Sequence, residues 1–332
     1  MEKTRIAVVG AGAMGSNHAR TINNLPDTEL SFIIDSDITK AERLASNYGC
    51  EFSNSIENLS KDKTDGVVVA SPSNLHYELS DELLRNGLDV LVEKPISLEV
   101  DDAEALVATA SELGRVLMVG HIELFNPVVR ELRKIVGNTA IRSMRFNRLG
   151  FVADNSRLYH DAVMDLMVHD IAIALTLTQS SDDNIEVLNS VGRQDTSFAP
   201  DPVEAILSIH TQNDQTIDAH FRASRAYTGG KVREIKIETE GSVIEADLLT
   251  RFITQKVAGE GRFNVGDGVF IQDVKTAFCM PRDNEEPLKL EMQHFASCIE
   301  GKSKPEDESV SGRDGLAVLS IARIILQKNI LI

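Results

Sequence analysis

The sequence predicts an α/β protein that begins with a doubly wound parallel sheet. Three observations carry this prediction: a glycine-rich turn lies between the first apolar strand and a helical stretch, strand-like and helix-like segments then alternate, and the strands end in polar or glycine residues. The 332 residues are enough for two domains. We expect an N-terminal domain over residues 1–121 and a second domain over residues 122–332.

The glycine-rich turn has the sequence G-A-G-A-M-G and directly follows a predicted strand. In this G-x-G-x-x-G pattern, Gly10 makes the tight turn, Gly12 lets the backbone approach a pyrophosphate, and Gly15 lets the helix pack on the strand. The phosphates are expected at the helix N-terminus, beside Ala13 and Met14, where backbone N–H groups are unpaired. The turn therefore predicts a dinucleotide-binding Rossmann domain.

The second predicted strand ends in Asp35, about 20 residues after the last glycine of the turn. A carboxylate at this position accepts hydrogen bonds from the hydroxyls of the adenosine ribose. Ser36 and Asp37 follow, so no arginine stands there to hold a 2′-phosphate, and NAD is the predicted cofactor. Lys40 and Arg43 on the next helix are the residues that would favour NADP instead.

Polar side chains also follow three further predicted strands, at 66–70, 90–92 and 116–119. Because the carboxyl ends of parallel strands meet at one edge, where open α/β sheets bind ligands, these side chains are expected near the cofactor. They are Ser71, Asn74 and His76 after the first strand, Glu93 and Lys94 after the second, and His121 after the third. We expect the amine of Lys94 over the nicotinamide and Glu93 as an acceptor for the adjoining ribose.

A helix is predicted over residues 162–177, because apolar residues recur there with a period of about 3.6. Asp165 and His169 are four residues apart, so they share another face of this helix. A carboxylate beside an imidazole orients the ring and supports its protonated form, although a solvated pair on an exposed face is the alternative. A metal site of His160, Asp161, Asp165 and His169 is a further alternative. We predict no metal, because hydride transfer to NAD requires none.

The remainder of the chain contains strand-like segments joined by hairpin-like turns. These segments cover residues 202–210, 216–222, 231–239 and 242–246. A polar loop is predicted over residues 299–312, and an amphipathic helix over residues 316–327 closes the chain.

The composition restricts the classes of partner. The formal net charge is −17, and such a surface repels nucleic acid and anionic membranes, so neither is an expected partner. No apolar run reaches the about 20 residues needed to span a bilayer, and the chain enters a strand without a signal peptide, so we expect a cytoplasmic protein. Cys50, Cys279 and Cys298 lie far apart, which argues against a disulfide framework.

Five motifs in this order resemble the Gfo/Idh/MocA oxidoreductases, the family of glucose–fructose oxidoreductase and inositol dehydrogenase. They are G-A-G-A-M-G-S-N-H-A-R (10–20), A-S-P-S-N-L-H (70–76), E-K-P (93–95), G-H (120–121) and D-L-M-V-H-D (165–170). The resemblance implies a Rossmann domain followed by an α/β domain with a large, mostly antiparallel open sheet, in a homodimer or homotetramer. It also implies that Lys94 meets Asp165 and His169 around the sugar carbon being oxidised. NAD would take the hydride, and either Lys94 or His169 the hydroxyl proton.

Four segments are similar to one branch of this family, the dehydrogenases that oxidise C3 of UDP-N-acetylglucosamine or its uronic acid. They are G-H-I-E-L-F-N-P-V-V (120–129), D-L-M-V-H-D-I-A-I (165–173), Y-T-G-G-K-V-R-E-I-K-I-E-T-E-G (227–241) and V-S-G-R-D-G-L (310–316). The branch usually has an arginine where Leu124 stands and a Thr-Pro pair where Gly229-Gly230 stands. These differences concern the substrate and not the hydride transfer. The expected substrate contacts, besides the catalytic residues, are His121, Arg148, Arg157, Lys231 and Arg233.

Several functions stay open at this point. The favoured one is NAD-dependent oxidation of a UDP-N-acetylhexosamine at C3. A dehydrogenase of a free sugar or inositol, or an NAD-dependent glycosidase that oxidises C3 transiently, would use the same residues. A non-catalytic NAD-bound sensor or co-regulator would need none of Lys94, Asp165 and His169.

Overall fold

The computed structural model describes residues 3–137, 139–151, 161–193, 201–211, 215–265, 268–278 and 286–331. The chain divides into two compact units, Met1–Phe125 with Asp283–Leu319, and Asn126–Arg282 with Ser320–Ile332. The first unit thus includes Asp283–Leu319, a late segment that the predicted boundary after residue 121 placed in the second domain. None of the helices in the described ranges has the length and apolarity needed to cross a membrane.

Helices and strands alternate through the first part of the chain, and strands dominate the second. The described helices are α1 (Ala13–Asn24), α2 (Ile38–Ser46), α3 (His76–Arg85), α4 (Val100–Leu113), α5 (Pro127–Val136), α6 (Val168–Thr178), α7 (Pro287–Ile299) and α8 (Gly312–Gln327). The described strands are β1 (Thr4–Val9), β2 (Thr28–Ile34), β3 (Glu51–Ser53), β4 (Gly66–Val69), β5 (Asp89–Glu93), β6 (Leu117–Gly120), β7 (Ile141–Leu149), β8 (Ile185–Gly192), β9 (Val203–His210), β10 (Thr216–Ser224), β11 (Val232–Thr239), β12 (Ser242–Asp247), β13 (Phe252–Val265), β14 (Gly268–Phe278) and β15 (Asn329–Leu331).

The first unit contains the predicted parallel sheet. Its described strands lie in the order β3-β2-β1-β4-β5-β6, and every pairing between them is parallel. Strands β4 and β6 are buried at every residue, which is the pattern of a parallel sheet covered on both faces. The chain order reverses between β1 and β4, and ligands of such sheets bind at the carboxyl ends of the strands beside that reversal. The predicted doubly wound sheet is confirmed.

Helix α7 shows how the late segment joins the first unit. At Gly66, the first residue of β4, a Cβ would lie 2.5 Å from Cδ1 of Ile299 and 3.0 Å from the ring of Phe295. The glycine therefore lets α7 pack directly on the sheet. The bridge between Met118 and Ser311 adds a backbone connection to β6.

The second unit contains a large sheet with the described strand order β14-β13-β12-β11-β7-β10-β9-β8-β15. The β7–β10 and β8–β15 pairs are parallel, and the other described pairs are antiparallel. The expected large, mostly antiparallel sheet is confirmed. At its centre the rings of Phe146 and Phe221 stack with centroids 4.8 Å apart. Four strands were predicted to within two residues at each end, whereas β7, β8, β13, β14 and β15 were not predicted.

Candidate active site

The glycine turn between β1 and α1 has the predicted geometry. Gly10 has φ of +103°, a conformation that favours glycine, and its N–H donates to the carbonyl of Ile34 at 2.7 Å. A Cβ on Gly15 would overlap the carbonyl oxygen of Gly10, so glycine is needed for α1 to approach the turn. A Cβ on Gly12 would meet nothing within 4 Å. The backbone at Gly12 is therefore open to a ligand.

The N-terminus of α1 faces the same opening. Gly12 is the N-cap residue and offers no side chain to the first N–H groups of the helix, which have no partners within it. Ala13 and Met14 in the first turn are exposed. Unpaired N–H groups at the positive end of a helix are suited to a pyrophosphate.

Asp35 lies beside this turn. One oxygen of its carboxylate accepts the N–H of Ala11 at 2.8 Å, and the other accepts the N–H of Asp37 at 2.9 Å. A carboxylate has about four acceptor positions, so Asp35 retains capacity for ribose hydroxyls. The amine of Lys40, which could favour a 2′-phosphate, lies 3.7 Å from the carboxylate of Asp37.

These residues line a cleft of about 1520 Å³ in the first unit. Its wall includes the turn 10–14, Asp35 and Ser71, together with Lys40 and Arg43 of α2. The open glycine backbone, the helix N-terminus and the carboxylate supply the donors and acceptors that the pyrophosphate and ribose of a dinucleotide require. The residues present therefore fit NAD.

The segment after β4 contributes Ser71, Asn74 and His76. Ser71 lines the cleft, and Asn74 is exposed in a single turn of 3₁₀-helix. His76 is 1% exposed, with Nδ1 at 2.7 Å from the carbonyl oxygen of Pro95 and Nε2 at 3.0 Å from that of Ser71. This placement argues against the predicted direct contact of His76 with a cofactor, because both ring nitrogens face protein carbonyls. The ring instead ties two loops together, one of which carries Lys94.

Glu93 and Lys94 end β5 at the carboxyl edge of the sheet. The carboxylate of Glu93 lies 2.7 Å from Nε2 of the fully buried His18. Burial raises the pKa of Glu93, but the hydrogen bond and charge of His18 and the charge of Lys94 outweigh it, so the net shift is downward. Lys94 is half-buried and is joined to Pro95 by a cis peptide bond. Contact of either residue with the cofactor stays a prediction.

Sequence reasoning did not assign a role to His18. It stands three residues after the last glycine of the turn, on the side of α1 that packs on the sheet. The sequence did contain a signal for its role, because the helix period places this polar ring on the side of α1 that faces the core.

His121 directly follows β6 and is 2% exposed. Neither ring nitrogen has a hydrogen-bond partner in the part of the chain that the structure describes. Burial, together with the positive charge of Lys94, lowers the pKa of His121 to about 4, although the charge of Glu93 opposes the shift. The ring is therefore neutral at physiological pH, next to both of those side chains.

In the second unit, Asp165 and His169 lie where α6 begins. Residues Val163–Met167 form a π-helical turn, and the regular helix follows from Val168. Both side chains are half-buried. The predicted helix is present, but Asp165 sits in a widened turn, a feature that recurs at functional sites. Their roles in catalysis stay predictions.

Arg148, which was predicted as a contact of the substrate, lies in a buried environment. It is 3% exposed, and its Nε and Nη2 donate to one carboxylate oxygen of Asp170 at 2.9 and 2.8 Å. Asp170 is 3% exposed and follows His169 directly. A buried guanidinium paired in this way anchors α6 to β7, which argues against a contact with a substrate diphosphate.

The other predicted substrate cations are less buried. Lys231 is exposed and lies beside Gly150. A Cβ on Gly150 would be 3.6 Å from Cγ of Lys231. Arg233 is half-buried, and its Nη1 donates to the carbonyls of Leu149 and Val232, each at 2.7 Å. Arg157 lies outside the described residues, as do His160 and Cys279.

Known proteins that are similar to this chain include NAD-binding oxidoreductases, in agreement with the NAD site described above. Residues 4–121 match the family model for the oxidoreductase family GFO_IDH_MocA, NAD-binding Rossmann fold. The chain is 25% identical over 323 residues to UDP-N-acetylglucosamine 3-dehydrogenase of Acidithiobacillus ferrooxidans, covering 97% of both chains. It is also 25% identical over 317 residues to scyllo-inositol 2-dehydrogenase (NAD(+)) of Bacillus subtilis, covering 91% of this chain and 88% of that one.

A solved structure of the Acidithiobacillus ferrooxidans UDP-N-acetylglucosamine 3-dehydrogenase, GnnA, has the same architecture. It matches with a TM-score of 0.85 at 25% identity, covering 99% of this chain and 98% of that chain. Residues 4–121 therefore form an NAD-binding domain of the Gfo/Idh/MocA oxidoreductase family, and the chain is an NAD-dependent oxidoreductase. The predicted family, enzyme class and cofactor are confirmed.

Proposed function

We propose that this enzyme oxidises the C3 hydroxyl of a UDP-N-acetylhexosamine to a ketone with NAD. The observation that carries the proposal is the similarity to a UDP-N-acetylglucosamine 3-dehydrogenase over 97% of both chains. The half-buried amine of Lys94 at the carboxyl edge of the NAD-binding sheet supports an oxidation in which a proton must be accepted next to the cofactor.

Gly12, the N-terminus of α1 and Asp35 would hold NAD, which would supply the acceptor for the hydride of the sugar carbon. The hydroxyl proton passes to the amine of Lys94 or to the imidazole of His169. Asp165 orients His169 and bonds a neighbouring sugar hydroxyl. The His76 ring, through its contact with the Pro95 carbonyl, holds the loop that carries Lys94. For the diphosphate, Lys231 and Arg233 are the described cations that we propose, with Arg157 as a further candidate.

A second candidate is a dehydrogenase of an inositol or free sugar. Two observations favour it: Leu124, which stands where the related branch usually has arginine, is fully buried, and Arg148 is paired with Asp170. Both remove a cation from the set available to a diphosphate. The similarity to an inositol dehydrogenase over 91% of this chain supports the same candidate.

One assay separates the candidates. The purified enzyme is incubated with NAD and UDP-N-acetylglucosamine, N-acetylglucosamine, scyllo-inositol or myo-inositol, and reduced nicotinamide is followed by absorbance. We expect turnover of the UDP-sugar. Turnover of an inositol or free sugar with none of the UDP-sugar would support the second candidate. Intact NAD binding without turnover of any compound would favour a sensor.

A matched pair of lysine variants tests the catalytic assignment. Lys94→Met should bind NAD but lose at least about a hundredfold in kcat, since a positioned general base typically contributes 10²–10⁴-fold. Lys61→Met removes an exposed lysine of the same unit and should retain wild-type turnover. Near-normal kcat in Lys94→Met would eliminate the role of this amine.

We also propose a cytoplasmic homodimer or homotetramer, the assembly that the family resemblance implies. Light scattering on the purified protein tests the assembly, and a monomer at micromolar concentration would contradict it.

A further inference from the structure

A buried cluster of titratable side chains lies in the first unit next to Lys94. It consists of His18 on α1, Glu93 at the end of β5, His121 after β6, and Glu291 on α7. The proposed reaction gives no role to His18 or Glu291. Glu291 has the least expected environment, because a carboxyl group is rarely fully buried unless it is paired.

Glu93 is held in place from two sides. Its carboxylate is hydrogen-bonded to His18. Gly120 of β6 is the residue that pairs with Glu93 of β5 in the sheet. A Cβ on Gly120 would lie 3.2 Å from Oε2 of Glu93, which is closer than most real contacts allow. The glycine therefore leaves room for the carboxylate to turn towards His18, whose Nε2 lies 2.7 Å from it.

Glu291 is 0% exposed, and both of its carboxyl oxygens are buried without a hydrogen-bond partner among the described residues. The charge that acts on it is the like charge of Glu93. An isolated buried carboxylate costs several kcal/mol, and a neighbouring negative charge adds to that cost. Burial and then Glu93 raise the pKa of Glu291 well above its ordinary value.

Other titratable groups lie on the elements that pack against α7. They are His18 and Arg20 on α1, Glu123 in the turn Ile122–Phe125, and Glu306, Asp307 and Glu308 in the turn Pro305–Glu308. On α7 itself, Lys289 and His294 are half-buried. His294 contacts the ring of Phe125 and the thiol of Cys298.

We propose that Glu291 carries a proton at neutral pH, so that the buried cluster next to Lys94 holds a single negative charge, on Glu93. Ionisation of Glu291 at alkaline pH adds a second negative charge to this cluster, next to that of Glu93, and should therefore alter turnover beside Lys94. The effect on turnover rests on the proposed function, whereas the proton on Glu291 does not.

The first test measures thermal stability from about pH 5 to about pH 8 for wild type, Glu291→Gln and Glu286→Gln, without substrate or cofactor. An acid whose pKa is raised by folding stabilises fully below its unfolded pKa and loses that contribution as pH rises towards the folded pKa. We therefore expect the Tm of Glu291→Gln to be closest to that of wild type near pH 5 and to exceed it increasingly as pH rises. Glu286 is exposed at the start of the same helix, so its variant should follow wild type.

A Tm that is lower in Glu291→Gln by the same amount at every pH would overturn the proposal, because it would mean that an ionised Glu291 makes stabilising contacts. Infrared difference spectroscopy on the wild-type protein supplies a second readout that needs no variant. A carbonyl band of a protonated carboxylic acid should persist at pH 7 and disappear in Glu291→Gln if that variant folds. A wild-type spectrum at pH 7 with only carboxylate bands would also refute it.

The pH dependence of kcat/KM completes the test. At neutral pH, Glu291→Gln should retain turnover within about twofold, and the change in kcat/KM that ionisation of Glu291 causes at alkaline pH should be absent from the variant. If the stability and infrared results hold but no sugar is turned over, the proposed function fails and the protonated Glu291 stands. If turnover is normal and the infrared band is absent, only the protonated Glu291 fails.

Discussion

The buried pair between Arg148 and Asp170 makes a quantitative prediction about the second unit. Both side chains are almost fully buried, at 3% and 5% exposure, and are separated by 2.8 Å. Asp170→Asn keeps the shape of the side chain but leaves the guanidinium buried without its counter-charge. Removing one partner of a buried pair costs about 3–5 kcal/mol. For a domain of this size, that corresponds to a decrease in Tm of about 6–20 °C.

A matched control is available in the same sheet. Arg222 and Glu204 form an ion pair at 3.1 Å on adjacent strands, but their side chains are 47% and 62% exposed. Exposed pairs contribute about 0.2–1 kcal/mol, so Glu204→Gln should lower Tm by a few degrees at most. Replacing both buried charges, in Arg148→Met with Asp170→Leu, should restore most of the lost stability.

Differential scanning calorimetry of the four proteins tests this reasoning. The variant Asp170→Asn should unfold well below wild type, and Glu204→Gln and the double variant should unfold close to it. Equal Tm values for Asp170→Asn and Glu204→Gln would refute the conclusion that the buried pair anchors α6.

Three further predictions concern the first unit. Gly12→Ala should keep the wild-type Tm, because its Cβ meets nothing within 4 Å, yet weaken NAD binding at least about tenfold in a fluorescence titration; Gly15→Ala, whose Cβ overlaps the Gly10 carbonyl, should lower both Tm and affinity. Asp35→Asn should weaken NAD binding about tenfold or more and NADP binding less, since hydrogen bonds to a charged group contribute about 1.5–3 kcal/mol; equal losses would contradict the ribose contact. Because folding lowers the pKa of His121 to about 4 from 6.5, stability should fall as pH decreases through that window, and His121→Asn should reduce the fall. An unchanged acid slope in that variant would show that the ring is not buried as a neutral group.

The glycine turn and the parallel sheet could be predicted because their signals are local. The spacing of Gly10, Gly12 and Gly15 follows from backbone conformation and close packing within one strand–turn–helix unit. The buried strands are short apolar runs, and the polar residues after them identify the functional edge. The same logic identified Lys94 as a candidate.

The partners of buried charges could not be predicted in this way. Arg148 and Asp170 lie on a strand and a helix, and nothing in the local pattern of either segment identifies the other. Strand β7 was itself missed, because Arg142, Arg145 and Arg148 interrupt its apolar residues. Arg148, in a strand that was not recognised, was therefore assigned to the substrate.

The return of the chain to the first unit was missed for a similar reason. Helix α7 was not predicted. The sequence signal for its packing on the sheet is Gly66, a small residue within a strand. The burial of Glu291 was missed for the same reason, since a glutamate in a segment with no predicted structure gives no sign that it is buried. The pairing of Glu93 with His18 likewise depends on the packing of α1 against β5.

The most direct measurement of the central claim is the fate of the hydrogen on C3 of the sugar. The enzyme is incubated with NAD and UDP-N-acetylglucosamine deuterated at C3, and the reduced cofactor is analysed by mass spectrometry and NMR. The proposed function predicts deuterium at C4 of the nicotinamide with wild type and Lys61→Met, and almost none with Lys94→Met. Reduced cofactor that carries no deuterium, or equal transfer by Lys94→Met and wild type, would contradict the account.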